Sequence, residues 1–475
     1  MKDVLPTSGD LKRIVYKSQR QKRVLPRHAV LTEDLNKEIA ALRHSAKRET
    51  NPLLKAQLQQ RAKELLQEKR RREDLFFESL RSKLEQEILE PRETIRLKYR
   101  TDASGKKIST FARHRASLSM LDRYVALKLS ASYRVDTRGR DQCIRILTNI
   151  FHTSSANPPS KQGIHKVDIA QFFEAIPHDK LLERLVGHSG VPHFARQHVS
   201  KVLKAYRKLH GSEIGVPRGI PSSSVLAEIY LEPLDFAIRT NPDVVLYLRY
   251  VDDIIVVCDP ARTEAIAGEL TEQLAALGLK RNDEKSRHIV HPANQKTSFE
   301  YLGYRFNFSG GRTALKSIDI SDAKLERYKC AIDRIRERID LTCLADKNGV
   351  DFLRLLLEYL LCTHASHEDR EGQRVVTGLA YSARFMMGSA RSRPNFKALR
   401  DYATSSIRPA VAARATRGLE RPGASCRCCN APIAGREALG SLLEEVFSED
   451  RIMRGTALRH ESEEVRVRVR NALWS

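Results

Sequence analysis

Two adjacent carboxylates, Asp252 and Asp253, interrupt a run of β-branched and aromatic residues that reads Val-Val-Leu-Tyr-Leu-Arg-Tyr-Val-Asp-Asp-Ile-Ile-Val-Val-Cys over 244–258. That pattern predicts a buried β-hairpin with both acids at its turn. Burying two neighbouring negative charges is costly unless cations compensate them, and a divalent metal is the natural compensation. The alternative is a solvated Asp-Asp turn on an ordinary hairpin. A third carboxylate, Asp168, follows a short apolar run and precedes two aromatics in Lys-Val-Asp-Ile-Ala-Gln-Phe-Phe-Glu-Ala-Ile, residues 166–176. Placed on a strand beside the hairpin, Asp168 and Asp252 are able to bind two Mg²⁺ ions about 3.5–4 Å apart, the arrangement that serves nucleotidyl transfer. A second cluster, Cys426, Cys428 and Cys429, puts three thiols in four residues, with His460 a distant fourth ligand. It suits zinc, but no second Cys-x-x-Cys or His-x₃-His pair accompanies it, so free or redox-active thiols are the competing reading.

Positioning these residues requires strands first. From 164 onward apolar β-runs alternate with helical patterns, and Ile266, Leu270, Leu274 and Leu277 recur at helical spacing after Pro260, with Gly278 placed to end that helix. The order implies an α+β layer carrying Asp168 on one strand and Asp252-Asp253 on the adjacent hairpin. Upstream, residues 30–100 are dense in Leu, Ala, Glu, Lys and Arg, which predicts long polar helices with a broken apolar stripe of Leu53, Leu54, Leu58, Leu65, Leu66 and Leu80. Lys69-Arg70-Arg71-Arg72 within them is either a solvated face or a contact for structured RNA or a partner helix. Residues 101–107 read as a turn. Downstream, Leu325, Tyr328, Ile332, Ile335 and Ile339 mark a further helix, and Arg391 to Arg421 holds eight basic residues against two acidic ones.

The formal net charge of +24 on 475 residues suits a polyanion and disfavours an acidic protein as the sole partner. A chain of this length forms two or three domains and buries ample core, so its eight cysteines need not form a disulfide framework. There is no secretory h-region and no apolar run of membrane-spanning length, so the expectation is a soluble, cytoplasmic protein without a membrane partner.

The motifs, in order, resemble those of reverse transcriptases over about residues 100–365. Tyr250-Val251-Asp252-Asp253 resembles the family's Tyr-x-Asp-Asp box, and Asp168 to Phe173 its first palm motif. Between them, residues 215–224 (Gly-Val-Pro-Arg-Gly-Ile-Pro-Ser-Ser-Ser) and 226–231 resemble the turn and helix beneath the templating base pair. Residues 278–286 resemble the motif with a catalytic lysine, and 299–304 the hairpin that grips the primer end. Leu121-Asp122-Arg123 and residues 132–138 look like fingers segments of bacterial members.

The resemblance implies a right-hand polymerase with a helical N-terminal extension (1–100), fingers and palm (101–312), a helical thumb (313–365) and a helical, basic C-terminal extension (366–475). It implies that Asp168 and Asp252 share two metal ions, that Asp253 is a weaker ligand, and that the Ile169 carbonyl completes the shell. Lys285 protonates or neutralises the leaving pyrophosphate, or is a surface lysine at a strand end. Phe173, five residues after Asp168, is the steric gate against a ribose 2′-hydroxyl, or core packing. Phe172, on the other face by strand periodicity, is core. Arg123, Arg134 and Arg138, with Pro217, Arg218 and Gly219, are assigned to nucleotide binding, and Tyr301, Leu302 and Gly303 to the primer grip. The implied ligands are an RNA template, deoxynucleoside triphosphates and a DNA product.

Arg218 stands where intron-encoded relatives carry Gln, and Glu228 where intron and retron enzymes commonly carry Asn. With the long N-terminal helices, this looks like the abortive-infection, defence-associated bacterial branch, working with a dedicated non-coding RNA and with a companion reverse transcriptase or as a homo-oligomer. The alternatives are a retron or group II intron-type enzyme of the same chemistry and, in another class, a non-catalytic RNA-binding scaffold.

Overall fold

The computed structural model describes residues 5–7, 9–12, 14, 28–101, 107–113, 115–135, 138–153, 162–291, 296–309, 315–341, 343, 346–361, 364–368, 374–377, 379–389 and 392–414. The chain divides into two units, each built from separate stretches of sequence. The first takes Met1–Asp136, Gln171–Pro233 and Leu277–Leu279; the second takes Thr137–Ala170, Leu234–Ala276 and Lys280–Ser475.

In the first unit the helix Pro52–Leu89 runs for 38 residues. Its start is specified locally: Pro52 occupies the first turn, and the Asn51 side chain accepts from the backbone N–H groups of Leu53 and Leu54. It packs on His28–Arg48 through Leu35, Ile39 and Leu65. Of the predicted stripe, Leu65 and Leu80 are buried while Leu53 and Leu54 face solvent. Strands β1 (Leu97–Thr101) and β2 (Lys107–Phe111) pair antiparallel, closed by Thr101 opposite Lys107; the intervening 102–106 lie outside the described residues. Ile95, Leu97, Phe111, Leu118, Val202, Tyr206 and Ile220 form the core beneath this ribbon. Three helices, Arg115–Ser132, His193–His210 and Pro221–Tyr230, are tied together at Asp122. This carboxylate is fully buried, and it accepts from the Ser222 N–H and Ser222 hydroxyl, each at 2.7 Å, while His198 Nε2 lies 3.0 Å away.

The second unit is centred on an antiparallel sheet of order β4-β5-β3-β6, formed by β3 (Gln162–Asp168), β4 (Val244–Tyr250), β5 (Asp253–Cys258) and β6 (Arg287–His291). The predicted helix spans Thr263–Ala276 and buries Ile266, Leu270 and Leu274; Gly278 follows with φ +72. A second sheet stacks β7 (Thr297–Tyr301), β8 (Tyr304–Phe308) and β9 (Leu315–Ile320). Phe299, Phe306 and Phe308 from it share a core with Phe151, Ile164, Leu248, Ile255 and Val257.

Helices Asp322–Leu341 and Lys347–Leu361 bury Leu325, Ile332, Ile335, Leu356 and Leu360 in a core that also holds Leu379, Phe396, Leu399, Ile407 and Val411. Packing therefore runs across the boundary expected at 365. The join is explicit: Asp319 on β9, fully buried, accepts from the N–H groups of Asn395 and Phe396 at the start of helix Pro394–Arg414. The extension expected to be helical over 366–475 contains helix Pro394–Arg414, and at its start strands β10 (His364–Glu368) and β11 (Arg374–Thr377) pair antiparallel. Val375, Val376 and Thr377 are β-branched and favour extended backbone.

Candidate active site

Asp168 ends β3, directly opposite Asp253, the first residue of β5. Residues facing each other across an antiparallel pair project from the same face, so both carboxylates share one side of the sheet. Asp252 lies in the two-residue loop between Tyr250 and Asp253, whose first member, Val251, adopts φ +61. Burial pushes the Asp253 carboxyl above its ordinary range; Lys166 opposes that, Asp252 and Asp168 add to it, and Lys285 opposes it again. Three like charges thus meet two lysines at one sheet end.

Each neighbour of Asp168 is fixed by backbone. The Asp168 N–H donates to Ser286 Oγ at 3.2 Å, and its carbonyl accepts from the Asn282 N–H at 2.8 Å. Ile169 bridges to Arg281, and the Ala170 N–H donates to the Lys280 carbonyl. These bonds hold the 280–286 segment alongside and bring Lys285 Nζ within 3.6 Å of Asp168 Oδ2, although the lysine side chain is two-thirds exposed. Lys285 sits in a turn and not on a strand, its N–H directed at Asn282 Oδ1. Among the described residues no three acidic, His or Cys side chains converge into a ready-made metal cage. The donor set nevertheless fits a hard divalent cation: its members are carboxylate oxygens, part-buried, and mutually repelling.

Tyr301, Leu302 and Gly303 make the tight connection between β7 and β8. Leu302 and Gly303 both have positive φ, +48 and +75, as a two-residue turn matched to the twist of its strands requires. The Tyr301 hydroxyl, fully buried and held protonated by burial, donates to the Asp253 carbonyl at 3.4 Å. Arg140 Nε donates to the Leu302 carbonyl at 3.0 Å. Arg138 is half-buried and contributes to the field at Tyr301.

The remaining expected residues belong to the first unit. Phe172 is buried and Phe173 half-buried, and both lie in the short helix Phe172–Ala175, not on a strand. The strand reading fails because Gln171 enters the left-handed region at φ +46 and turns the chain. The Phe173 ring lies 5.1 Å from the Arg218 guanidinium carbon, and Arg218 pairs through two nitrogens with Glu174 at 2.6 and 2.9 Å. Arg218 is thus held by Glu174 and Phe173 while its side chain stays partly exposed. Gly219 has φ +96, and a Cβ there would lie 2.8 Å from the Ser109 carbonyl oxygen. The Pro217 carbonyl accepts from the Ser223 hydroxyl, so the serine run is used internally. Arg123 is buried, against the expectation of a phosphate-facing side chain, since its neighbour Asp122 anchors that turn of helix in the core. Arg134 is exposed at a helix end with φ +47.

Of the basic run on the long helix, Arg71 pairs with Glu68 and Arg72 with Glu68 and Asp34 on exposed side chains, while Lys69 and its partner Glu73 are largely covered. Cys426, Cys428, Cys429 and His460 lie outside the described residues, as do 415–421 of the basic C-terminal stretch. Sequence reasoning missed Lys166, although its position two residues before Asp168 on one strand places it on the same face.

Residues 117–306 match the family described as reverse transcriptase (RNA-dependent DNA polymerase). This segment is a reverse transcriptase domain. It contains Asp168, Asp252, Asp253, Lys285 and the 301–303 turn, and with the mixed sheets and helices it gives the chain a right-hand polymerase fold. Among solved structures, the chain is similar to apo telomerase from Candida tropicalis at 12% identity, covering 80% of this chain and 64% of that one with a TM-score of 0.36. It is also similar to a C-terminally truncated form of that enzyme (16% identity, 45% and 53% covered, TM-score 0.35). Telomerase from Candida albicans with a TWJ fragment of telomeric RNA gives 13% identity, 75% and 62% covered, and a TM-score of 0.34. The chain thus spans between 53% and 64% of the length of these telomerase chains. No curated protein matches the sequence. Among the described residues no helix is long and apolar enough to cross a membrane.

Proposed function

We propose that this chain is an RNA-directed DNA polymerase that makes cDNA from a dedicated non-coding RNA in antiphage defence, in the cytoplasm. The observation that carries the chemistry is the register of Asp168 against Asp253 beside the Asp252 turn, inside the matched domain. A primer 3′-hydroxyl attacks the α-phosphate of an incoming deoxynucleotide, and pyrophosphate leaves. Asp168, Asp252 and Asp253, with the Ile169 carbonyl, would hold two Mg²⁺ ions, which would supply the Lewis acidity that lowers the hydroxyl's pKa and offsets phosphate charge. Lys285 lies close enough to this cluster to place a proton or a positive charge at the departing pyrophosphate. Phe173, steadied between Arg218 and Phe172, excludes a 2′-hydroxyl, and the Leu302-Gly303 turn supports the primer end.

The defence role rests on the departures at Arg218 and Glu228 and on the +24 charge, which favours a polyanionic partner. A companion reverse transcriptase or a second copy of the chain is part of the same proposal. The test is DNA synthesis by the purified chain on an RNA template with Mg²⁺, together with sequencing of co-purifying nucleic acid. Incorporation abolished by Asp168→Asn and Asp252→Asn, with RNA affinity intact, supports the reading; normal incorporation by either variant overturns it.

A further inference from the structure

The loop that carries Asp252 is exposed to a particular risk. Among the described residues β4 is an edge strand, paired with β5 alone, so the hairpin tip has a described ladder on one side. Its first loop residue, Val251, holds φ +61, a region that β-branched side chains rarely adopt and that persists only where surrounding contacts impose it. One side chain supplies such a contact. Arg249, nearly buried, donates from Nη1 to the Val251 carbonyl at 3.0 Å. Its other two nitrogens dock on Asp235 of helix Glu232–Thr240: Nε to Oδ1 at 2.7 Å and Nη2 to Oδ2 at 2.5 Å. The Tyr247 hydroxyl donates to the same Oδ1 at 2.6 Å. Asp235 therefore accepts twice from the fork and once from the phenol, and the fork's third nitrogen is aimed at the strained peptide.

We infer that Arg249 is a positioning residue for the catalytic loop: braced by Asp235 and Tyr247, it fixes the Val251 peptide and through it the direction in which Asp252 and Asp253 project. Strand alternation places it on the face opposite Asp168 and Asp253, so its influence on these two passes through the backbone. Lysine cannot substitute, because one ammonium cannot span a carboxylate and a carbonyl in the geometry of a planar fork. The inference rests on the polymerase reading for its catalytic meaning, but its structural content is measurable without activity.

The experiment uses the full chain and the variants Arg249→Lys, Arg249→Lys with Val251→Gly, and Tyr247→Phe. Four quantities are measured: single-turnover incorporation at saturating deoxynucleotide, primer–template affinity, Mn²⁺ affinity by paramagnetic resonance titration, and amide exchange of the peptide 247–258. Arg249→Lys is expected to bind primer–template as the parent does, to lose roughly 10- to 100-fold in rate and about 10-fold in Mn²⁺ affinity, and to exchange faster only in that peptide. Glycine accepts positive φ without strain, so adding Val251→Gly should recover about threefold or more of the lost rate. Unchanged rate and Mn²⁺ affinity in Arg249→Lys would overturn the inference. So would a loss of rate that tracks primer–template affinity without local exchange, or that Val251→Gly leaves untouched. If Arg249→Lys fails to fold, Tyr247→Phe decides, with about a threefold loss of rate and faster local exchange expected and no change in either overturning the inference. A parent chain that binds Mn²⁺ but makes no DNA removes the polymerase reading alone, while the Mn²⁺ and exchange results still judge Arg249.

Discussion

Asp168→Asn should make the chain inactive and, in metal-free buffer, more stable. Asp168 and Asp253 face each other across β3 and β5, and the Asp253 carboxyl is already pushed up by burial, with Asp252 and Asp168 adding to the push. Side chains in such pairs lie about 5 Å apart, which for two unit charges at an effective dielectric constant of about 20 gives roughly 3 kcal/mol of repulsion. Lys166 and Lys285 offset part of this. The substitution also forfeits the ion pair at 3.6 Å with the exposed Lys285, worth roughly 0–1 kcal/mol. The net expectation is a gain of about 1–2 kcal/mol, equivalent to a rise of about 2–8 °C in the midpoint of the unit holding the sheet. Thermal unfolding should be followed for the parent, Asp168→Asn and Asp253→Asn in EDTA and again in millimolar Mg²⁺. The gain should disappear with Mg²⁺, which stabilises only the form that binds it. Asp168→Asn less stable than the parent in EDTA, or a difference indifferent to Mg²⁺, would refute the account of these carboxylates as a charge cluster built for a cation.

Phe173→Val should raise ribonucleotide use relative to deoxynucleotide use in a primer-extension assay; unchanged selection in a folded variant makes the ring core packing. Lys285→Leu should slow single-turnover incorporation roughly 10²- to 10⁴-fold without changing template affinity, as loss of a general acid requires. His165 is buried on β3, stacked on His288, and burial holds its imidazole down at about 4. Between about pH 6.5 and 4 the unfolded chain therefore binds the extra proton, and stability present above that window is lost as pH falls through it, by about 3 kcal/mol in all; denaturation midpoints of His165→Gln should fall less steeply over the same range. Asp122→Ala strips the acceptor from Ser222 and His198 in a fully buried site and should cost roughly 3–5 kcal/mol in the first unit, read by denaturant titration.

The reactive residues were easier to read than what holds them. The hairpin at 244–258 announced itself because β-branched runs flank a turn that must be polar, and the same logic put Asp168 on a neighbouring strand. Phe172 and Phe173 were placed on a strand by alternation, yet the chain turns at Gln171, a conformational choice with no periodic signature. Arg218 was assigned to nucleotide binding by its place in the motif, and its pairing with Glu174, 44 residues away, carries no local signature. Arg249 and Asp235 meet for the same kind of reason: a pair formed by a helix and a strand depends on topology that pattern alone does not encode. The helix Pro394–Arg414 read as a basic extension because its charges face outward, while Phe396, Leu399, Ile407 and Val411, spaced along its other side, complete the core around residues 325–360.

The buried cap that Asp319 places on that last helix separates what is inherited from what folds. The recognisable family segment ends at 306, two residues before β8 does, and a chain trimmed there would lose β9, the partner of β8. Trimming at 365 would instead strip Asn395 and Phe396 from Asp319 and uncover Ile332 and Ile335. The segment that carries the family match is thus shorter than the packed unit to which it belongs, since the apolar face and the capped start of helix Pro394–Arg414 complete a core that residues 325–360 leave open.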